Sequence, residues 1–248
     1  MIDTIYVDLD GTLVGPGGNI CFDGTSRTVD ALLRAQQGGI TIVPISGRGR
    51  LQMREFRRLF GFSRAIGELG GVVLDGTEVR YQLGAYPADN SRSPVQQLEQ
   101  CGALDGLRAA GLEDHDPWNE GREVSWLMRG DIESGVAEGV LHAAGCDWAH
   151  VTNNGTLSGG RGHVFHVGPR GVSKQAGVAR DRDAHGLRRE SAAFVGDSPA
   201  DLACASEVAP GWCFLVANAA PSLEWAPRTS SAYGLGVAEV IDAALAQR

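Results

Sequence analysis

Residues 4–14 read Thr-Ile-Tyr-Val-Asp-Leu-Asp-Gly-Thr-Leu-Val, a short apolar, β-branched run that stops at two aspartates one residue apart and then a glycine. A run apolar on both faces reads as a buried parallel strand rather than a half-exposed one. Three further runs have the same form. Residues 40–45 (ITIVPI) lead into Ser46-Gly47-Arg48, residues 192–195 (AAFV) into Gly196-Asp197-Ser198-Pro199-Ala200-Asp201, and residues 212–216 (WCFLV) into Ala217-Asn218. Between them lie helical patterns. Residues 25–37 carry Val29, Leu32 and Leu33 at helical spacing and stop at Gly38-Gly39, and residues 51–60 repeat Leu51, Phe56, Leu59 and Phe60 before Gly61. Strand and helix in alternation predict an α/β fold with a doubly wound, mostly parallel core sheet. In such sheets ligands sit beyond the carboxyl ends of the strands, where these four polar loops would gather.

The middle of the chain breaks the pattern. Residues 82–168 have their own strand-like runs at 123–128 (EVSWLM) and 163–167 (HVFHV), and a helical run at 132–144 closed by Gly145. They are expected to form a smaller inserted α/β domain, with residues 1–81 and 169–248 making the core. Charge follows the same division. The whole chain of 248 residues has a net charge of -8, and the insert holds twelve acidic against five basic residues while the two core segments are close to balanced.

These global features narrow the function classes. An acidic chain lacks the basic patches that nucleic acid and anionic membranes attract, so neither is an expected partner. No apolar run approaches the roughly 18 residues needed to span a bilayer, and the start, MIDTIYVDLDG, has no signal-peptide pattern, so a cytoplasmic location is expected. Five cysteines without a CxxC pair argue against a disulfide framework or zinc site, and read as small buried side chains. The 35 glycines show no fixed period and are read as many tight turns.

Asp8 and Asp10 leave the first strand on the same side of an extended backbone. Two carboxylates so close repel unless a cation or a shared proton intervenes, and a hard, oxygen-seeking cation such as Mg2+ would resolve the repulsion. Asp197 and Asp201 can add carboxylates from a second strand end, although an aspartate there also starts turns or caps helices. Lys174 is the single lysine among 22 basic residues. A bias toward arginine explains the rest, but lysine is a compact point charge where arginine is a planar fork, so Lys174 is a candidate for a role arginine cannot fill. Ser46 and the amide of Gly47 could cradle phosphate oxygens.

Taken in order, Asp8-Leu9-Asp10-Gly11-Thr12-Leu13-Val14, Ser46, Lys174 and Gly196-Asp197-Ser198-Pro199-Ala200-Asp201 resemble the four motifs of the haloacid dehalogenase superfamily of phosphohydrolases. The insert between the second and third motifs resembles the α/β cap of subclass IIB, which includes sucrose-phosphate, mannosyl-3-phosphoglycerate and trehalose-phosphate phosphatases. Gly171-Val172-Ser173-Lys174, Asn218-Ala219 and a helix start at Gly236-Val237 also look like that subclass. Two departures stand out: Glu68-Leu69-Gly70-Gly71 has leucine where many relatives carry asparagine, and the loop around Asn218 lacks a lysine often found a few residues on.

The resemblance implies a Rossmann-like core with a cap over its active site. It implies Asp8 as the nucleophile that forms an aspartyl-phosphate, and Asp10 as the acid that protonates the leaving alcohol and then the base that deprotonates water. Mg2+ would be held by Asp8, the backbone carbonyl of Asp10 and Asp197, with Asp201 as ligand or support. Ser46, Lys174 and the backbone of Leu9 and Gly47 would bind the transferring phosphoryl group, and Arg48 and Asn218 are candidates for touching the rest of the substrate, a small phosphorylated molecule. The acidic insert, with only Arg92, Arg108, Arg122, Arg129 and Arg161 as cations, points to a neutral or amino sugar or polyol phosphate. The alternative is that these acids simply solvate the outer surface of the insert. A phosphomutase of the same family, a phosphatase for a small carboxylic-acid phosphate such as phosphoglycolate or mannosyl-3-phosphoglycerate, and a non-enzymatic phospho-switch are the alternatives. His163 and His166 lie on opposite faces of one strand, so at most one faces the site. Trp118, Trp126 and Trp148 are either core or platforms for a sugar ring.

Overall fold

The computed structural model describes residues 1–87, 91–156, 162–223 and 226–248. The chain begins with β1 (Thr4–Asp8), α1 (Arg27–Gln37), β2 (Thr41–Ile45), α2 (Arg50–Phe60), β3 (Arg64–Gly67) and a hairpin of β4 (Val72–Asp75) and β5 (Glu78–Tyr81). Next come α3 (Pro94–Gln100), α4 (Ala103–Ala109), β6 (Glu113–Asp114), β7 (Trp126–Gly130), α5 (Ser134–Ala143), β8 (Ala149–Thr156) and β9 (His163–Pro169). It closes with α6 (Lys174–Ala184), β10 (Ala192–Gly196), α7 (Pro199–Leu202), β11 (Cys213–Leu215) and α8 (Tyr233–Leu245).

Seven strands form one sheet in the order β11-β10-β1-β2-β3-β4-β5. The first five are parallel, and β4 and β5 return antiparallel at the edge. β1 lies between β10 and β2 with every residue buried, which is why its sequence is apolar without alternation. Ile5 and Val7 pack with Leu32 and Ile241 on one face, and Tyr6 packs with Val178 and Phe194 on the other. Each such aliphatic side chain stabilises the fold by about 1.5–3 kcal/mol. α1 buries Thr28, Ala31, Leu32 and Ala35, a single helical stripe, so Leu33 falls outside it and is half exposed. α2 ends at Gly61, whose left-handed φ of 67° turns its N–H back onto the Arg57 carbonyl.

The second sheet, β6-β7-β9-β8, is antiparallel and is covered on one face by α3, α4 and α5 through Leu98, Leu104, Leu107, Met128, Leu141 and Phe165. Its other face, carrying Ser125, Thr152 and His166, is turned toward the loops of the seven-stranded sheet. The strand expected from residue 123 begins at Trp126, because the N–H groups of Glu123, Val124 and Ser125 are given to the Glu68 carboxylate and not to a strand partner. The last helix starts at Tyr233, earlier than the Gly236-Val237 start expected. Among the described residues no helix is long and apolar enough to cross a membrane.

Candidate active site

Three strand ends converge here. β1 ends at Asp8, only 4% exposed, and β10 hands over to Asp197 and to Asp201 in the short helix α7. Lys174, the first residue of α6, reaches between them: its Nζ donates to Asp8 Oδ1 at 2.6 Å and to Asp201 Oδ1 at 2.7 Å. Ser173 caps that helix by accepting the Ala176 N–H. Two contacts farther along hold α6 against the sheet. Gly177 lies so close to Gly70 that a Cβ on it would stand 2.9 Å from the Gly70 Cα. Asp181 accepts hydrogen bonds from Tyr6 Oη at 2.8 Å and Arg64 Nη1 at 2.6 Å, both buried.

One carboxylate oxygen from each of Asp8, Asp197 and Asp201 lies within 4.8 Å of the others. The second oxygen of Asp201 accepts from the N–H groups of Asp197 and Ser198 and from the Ser198 hydroxyl, so Asp201 acts on this loop from within. Thr12 Oγ1 donates to Asp197 Oδ1 at 3.1 Å, joining the two loops. Gly11, at φ 91°, leaves the space beside them open, since a Cβ there would stand 2.4 Å from Asp197 Oδ2. An all-oxygen donor set with an open cradle fits a hard divalent cation.

Burial pushes the Asp8 carboxyl well above the usual range, with Asp201 and Asp197 adding to the rise and Lys174 opposing it. Asp197 is raised for the same reasons, burial first and Asp201 second. Burial works against the charge on Lys174, but Asp201 and Asp8 outweigh it and hold the ammonium above its ordinary value.

Asp10 takes a different position from Asp8. Its carboxylate is exposed and receives Arg48 in a fork, Nη2 on Oδ1 at 2.6 Å and Nε on Oδ2 at 3.0 Å, with the Ser46 hydroxyl 3.4 Å from Oδ2. Ser46 is buried and its Oγ accepts the Arg48 N–H at 3.1 Å, so the loop after β2 is folded around this hydroxyl. The Leu9 carbonyl accepts the N–H groups of Thr12 and Val14, which bends the loop after β1 so that Asp8 and Asp10 are presented to different partners. Asn218 donates to the Gly11 carbonyl and accepts the Tyr233 N–H, both at 2.8 Å. Its amide ties α8 to the first loop, with one N–H and one oxygen lone pair left over.

A second buried group faces Gly47. Arg122 donates through Nη2 to the Gly47 carbonyl at 2.6 Å, through Nε to the Trp118 carbonyl and through Nη1 to Ser125 Oγ, and stands 3.9 Å from Glu68. Glu68 is fully buried and accepts the N–H groups of Glu123, Val124 and Ser125. Burial lifts its carboxyl and lowers the Arg122 guanidinium to about 10, and the mutual attraction of the pair opposes both shifts. His166 shares a hydrogen bond with Ser125 Oγ at 3.1 Å, and a Cβ on Gly47 would stand 2.8 Å from its Nε2. Burial holds this imidazole well below its ordinary pKa and therefore neutral. The cavity beside it, lined by Leu69, Ser125, Thr152 and Val172, measures about 10 Å³, room for about one water.

No family model matches the chain. A phosphoglycolate phosphatase of Methanothrix thermoacetophila is 36% identical over 246 residues, covering 98% of this chain and 96% of that protein. A haloacid dehalogenase-like hydrolase from Bacteroides thetaiotaomicron superposes with a TM-score of 0.72 at 20% identity, covering 98% of this chain and 99% of that one. This chain is a haloacid dehalogenase superfamily phosphatase. The subclass IIB sugar phosphatase BT4131 shares the same fold, with a TM-score of 0.68, 16% identity and coverage of 97% and 98%.

Within this haloacid dehalogenase fold, Asp8, Lys174, Asp197 and Asp201 are one cluster, and Asp10, Ser46 and Arg48 are its neighbour. Of the five insert arginines, Arg122 contacts the loop after β2, and Arg161 lies outside the described residues. The sequence does not mark Arg122 and Glu68 as site residues. They are 54 positions apart, and no local pattern marks that they meet. Of the two histidines on β9, His166 is the one that faces the site.

Proposed function

We propose that this phosphatase is a Mg2+-dependent hydrolase of a small carboxylic-acid phosphate of the phosphoglycolate kind, working through a phosphoryl group carried on Asp8. The observation that carries the chemistry is the buried Asp8 carboxylate held on Lys174 beside Asp197 and Asp201. The substrate class rests on the activity named for the Methanothrix relative, together with Arg48 in the loop after β2.

In the first step an Asp8 oxygen attacks phosphorus and the bond to the leaving oxygen breaks, with Asp10 supplying the proton that oxygen takes up. In the second, Asp10 removes a proton from water, the water oxygen attacks phosphorus, and phosphate leaves as Asp8 regains its carboxylate. Lys174 offsets charge on the transferring group and keeps Asp8 in place; Ser46 and the backbone of Leu9 and Gly47 hold its oxygens. Asp8 and Asp197, with the Asp10 carbonyl, would hold Mg2+, whose contribution is to neutralise phosphoryl charge. Asp201 supports that set through Lys174 and the 197–198 backbone. Arg48, whose side chain is 27% exposed, is the cation placed to meet the leaving group's carboxylate.

This reading displaces the neutral or amino sugar phosphate that the acidic insert points to. Asp105, Glu113 and Asp147 of the insert are more than 70% exposed and pair with the insert's own Arg108, Arg129 and His142, so much of its negative charge faces solvent. Residues 82–168 act in this proposal as the cap of a subclass IIB enzyme, presenting Arg122 and His166 to the site. Phosphate release with Mg2+ from phosphoglycolate, set against glucose 6-phosphate and glycerol 3-phosphate, tests it. Phosphoglycolate is expected to lead in kcat/KM by at least about tenfold, the worth of one charge-assisted contact of about 1.5 kcal/mol. A neutral ester leading the panel, or an isomerised sugar phosphate in place of free phosphate, would overturn it.

A further inference from the structure

Cys101 closes α3 and Cys146 follows α5, 45 positions later, yet their sulfur atoms stand 2.8 Å apart and share a hydrogen bond. That separation is inside ordinary sulfur–sulfur contact, and closing it to a covalent bond of about 2.05 Å asks for a relative shift of under about 1 Å. The two residues sit at the edge of the apolar layer that joins α3, α4 and α5 to the second sheet, with Leu98, Leu104 and Leu141 around them. Cys146 is 1% exposed, whereas Cys101 is partly open to solvent, so a reagent has access to one sulfur of the pair and not to the other.

We propose that Cys101 and Cys146 form a reversible redox couple, a dithiol that low-molecular-weight disulfides convert to an intramolecular disulfide stapling α3 to the end of α5. The Cys101 thiolate attacks one sulfur of the external disulfide. The old S–S bond breaks, one small thiol leaves with the proton that Cys101 has lost, and Cys101 is left as a mixed disulfide. Cys146 then loses its proton and attacks the Cys101 sulfur, releasing the second small thiol; two protein thiols have been oxidised and one external disulfide reduced to two thiols. This order follows from access, and burial pushes the Cys146 thiol up to about 12, which disfavours it as the first attacker.

The native chain is incubated with excess oxidised glutathione, quenched with iodoacetamide, and digested without reduction for mass spectrometry. The expected product is one cross-linked peptide pair joining Cys101 and Cys146, two hydrogens lighter than its parts and split by dithiothreitol. In Cys146→Ser the mixed disulfide cannot resolve, and glutathione is expected to accumulate on Cys101; phosphate release by that variant reports that it is folded. Cys101 and Cys146 recovered as separate alkylated or glutathionylated peptides in the wild type would overturn the proposal, as would a Cys146→Ser variant that is active yet takes up no glutathione. The oxidised chain is also expected to unfold several degrees above the reduced one, because the bond restricts the unfolded insert. A melting temperature that stays level or falls on oxidation would contradict the staple.

Discussion

Replacing Lys174 by methionine removes a cation from three carboxylates while keeping an unbranched side chain in the same space. The two bonds lost are those to Asp8 at 2.6 Å and Asp201 at 2.7 Å, all three side chains being no more than 7% exposed. Removing one member of a buried ion pair costs about 3–5 kcal/mol, since the partner's charge is left without water or counter-ion. Here two partners lose the same cation and Asp197 lies beside them, so the upper part of that range applies at pH 8 with divalent ions chelated. The site can answer by taking up a proton. Asp8 is already raised by burial, Asp201 and Asp197, and Lys174 is the group that pulls it back. With the folded carboxyl pKa above the unfolded one, the folded state binds more protons, so stability rises as pH falls toward and below the raised value. Urea unfolding of wild type and Lys174→Met in chelator at pH 8 and pH 5 measures this. The expected loss is about 4–5 kcal/mol at pH 8 and smaller by at least about 1.4 kcal/mol at pH 5, the worth of one pKa unit. A loss below about 1 kcal/mol at pH 8, or an equal loss at both pH values, would show that Lys174 is not the group that balances these carboxylates.

Gly11→Ala places a methyl group 2.4 Å from Asp197 Oδ2 at φ 91°, and is expected to raise the Mg2+ concentration needed for half-maximal phosphate release by at least about tenfold, read by metal titration. Arg48→Met is expected to lower the ratio of kcat/KM for phosphoglycolate over glycerol 3-phosphate about 10–100-fold, the worth of a charge-assisted contact of about 1.5–3 kcal/mol; an unchanged ratio would remove Arg48 from substrate recognition. Asp181→Asn weakens the buried bonds from Arg64 and Tyr6 that fasten α6, with an expected stability loss of about 3–5 kcal/mol in urea unfolding.

The parts of this molecule that show in the sequence are those whose cause is local. β1, β2, β10 and β11 are apolar because neighbours cover both faces, and each is followed at once by its polar loop, so the strands and the residues at their ends are legible together. Lys174 stands out by composition, and its place as the first residue of α6 follows from the Ser173 cap. What does not show depends on approach between distant segments. Glu68 meets residues 123–125 only because the second sheet settles over the loop after β3, and this pairing also moves the start of β7 to Trp126. Leu69 sits in a left-handed turn at φ 57° whose N–H donates to the Ser46 carbonyl, a contact between two loops that no local pattern marks. The insert's net charge says little about substrate, because a sum over residues does not say which side chains point inward. Five cysteines likewise say nothing about which two touch.

In the proposed function Asp8 carries the phosphoryl group. Rapid acid quench of a single turnover with 32P-labelled phosphoglycolate and Mg2+, followed by peptide mapping, addresses it directly. Label on the peptide containing Asp8, with no label and no phosphate release in Asp8→Asn, is the expected result. Label on another residue, or turnover that survives in Asp8→Asn, would contradict it.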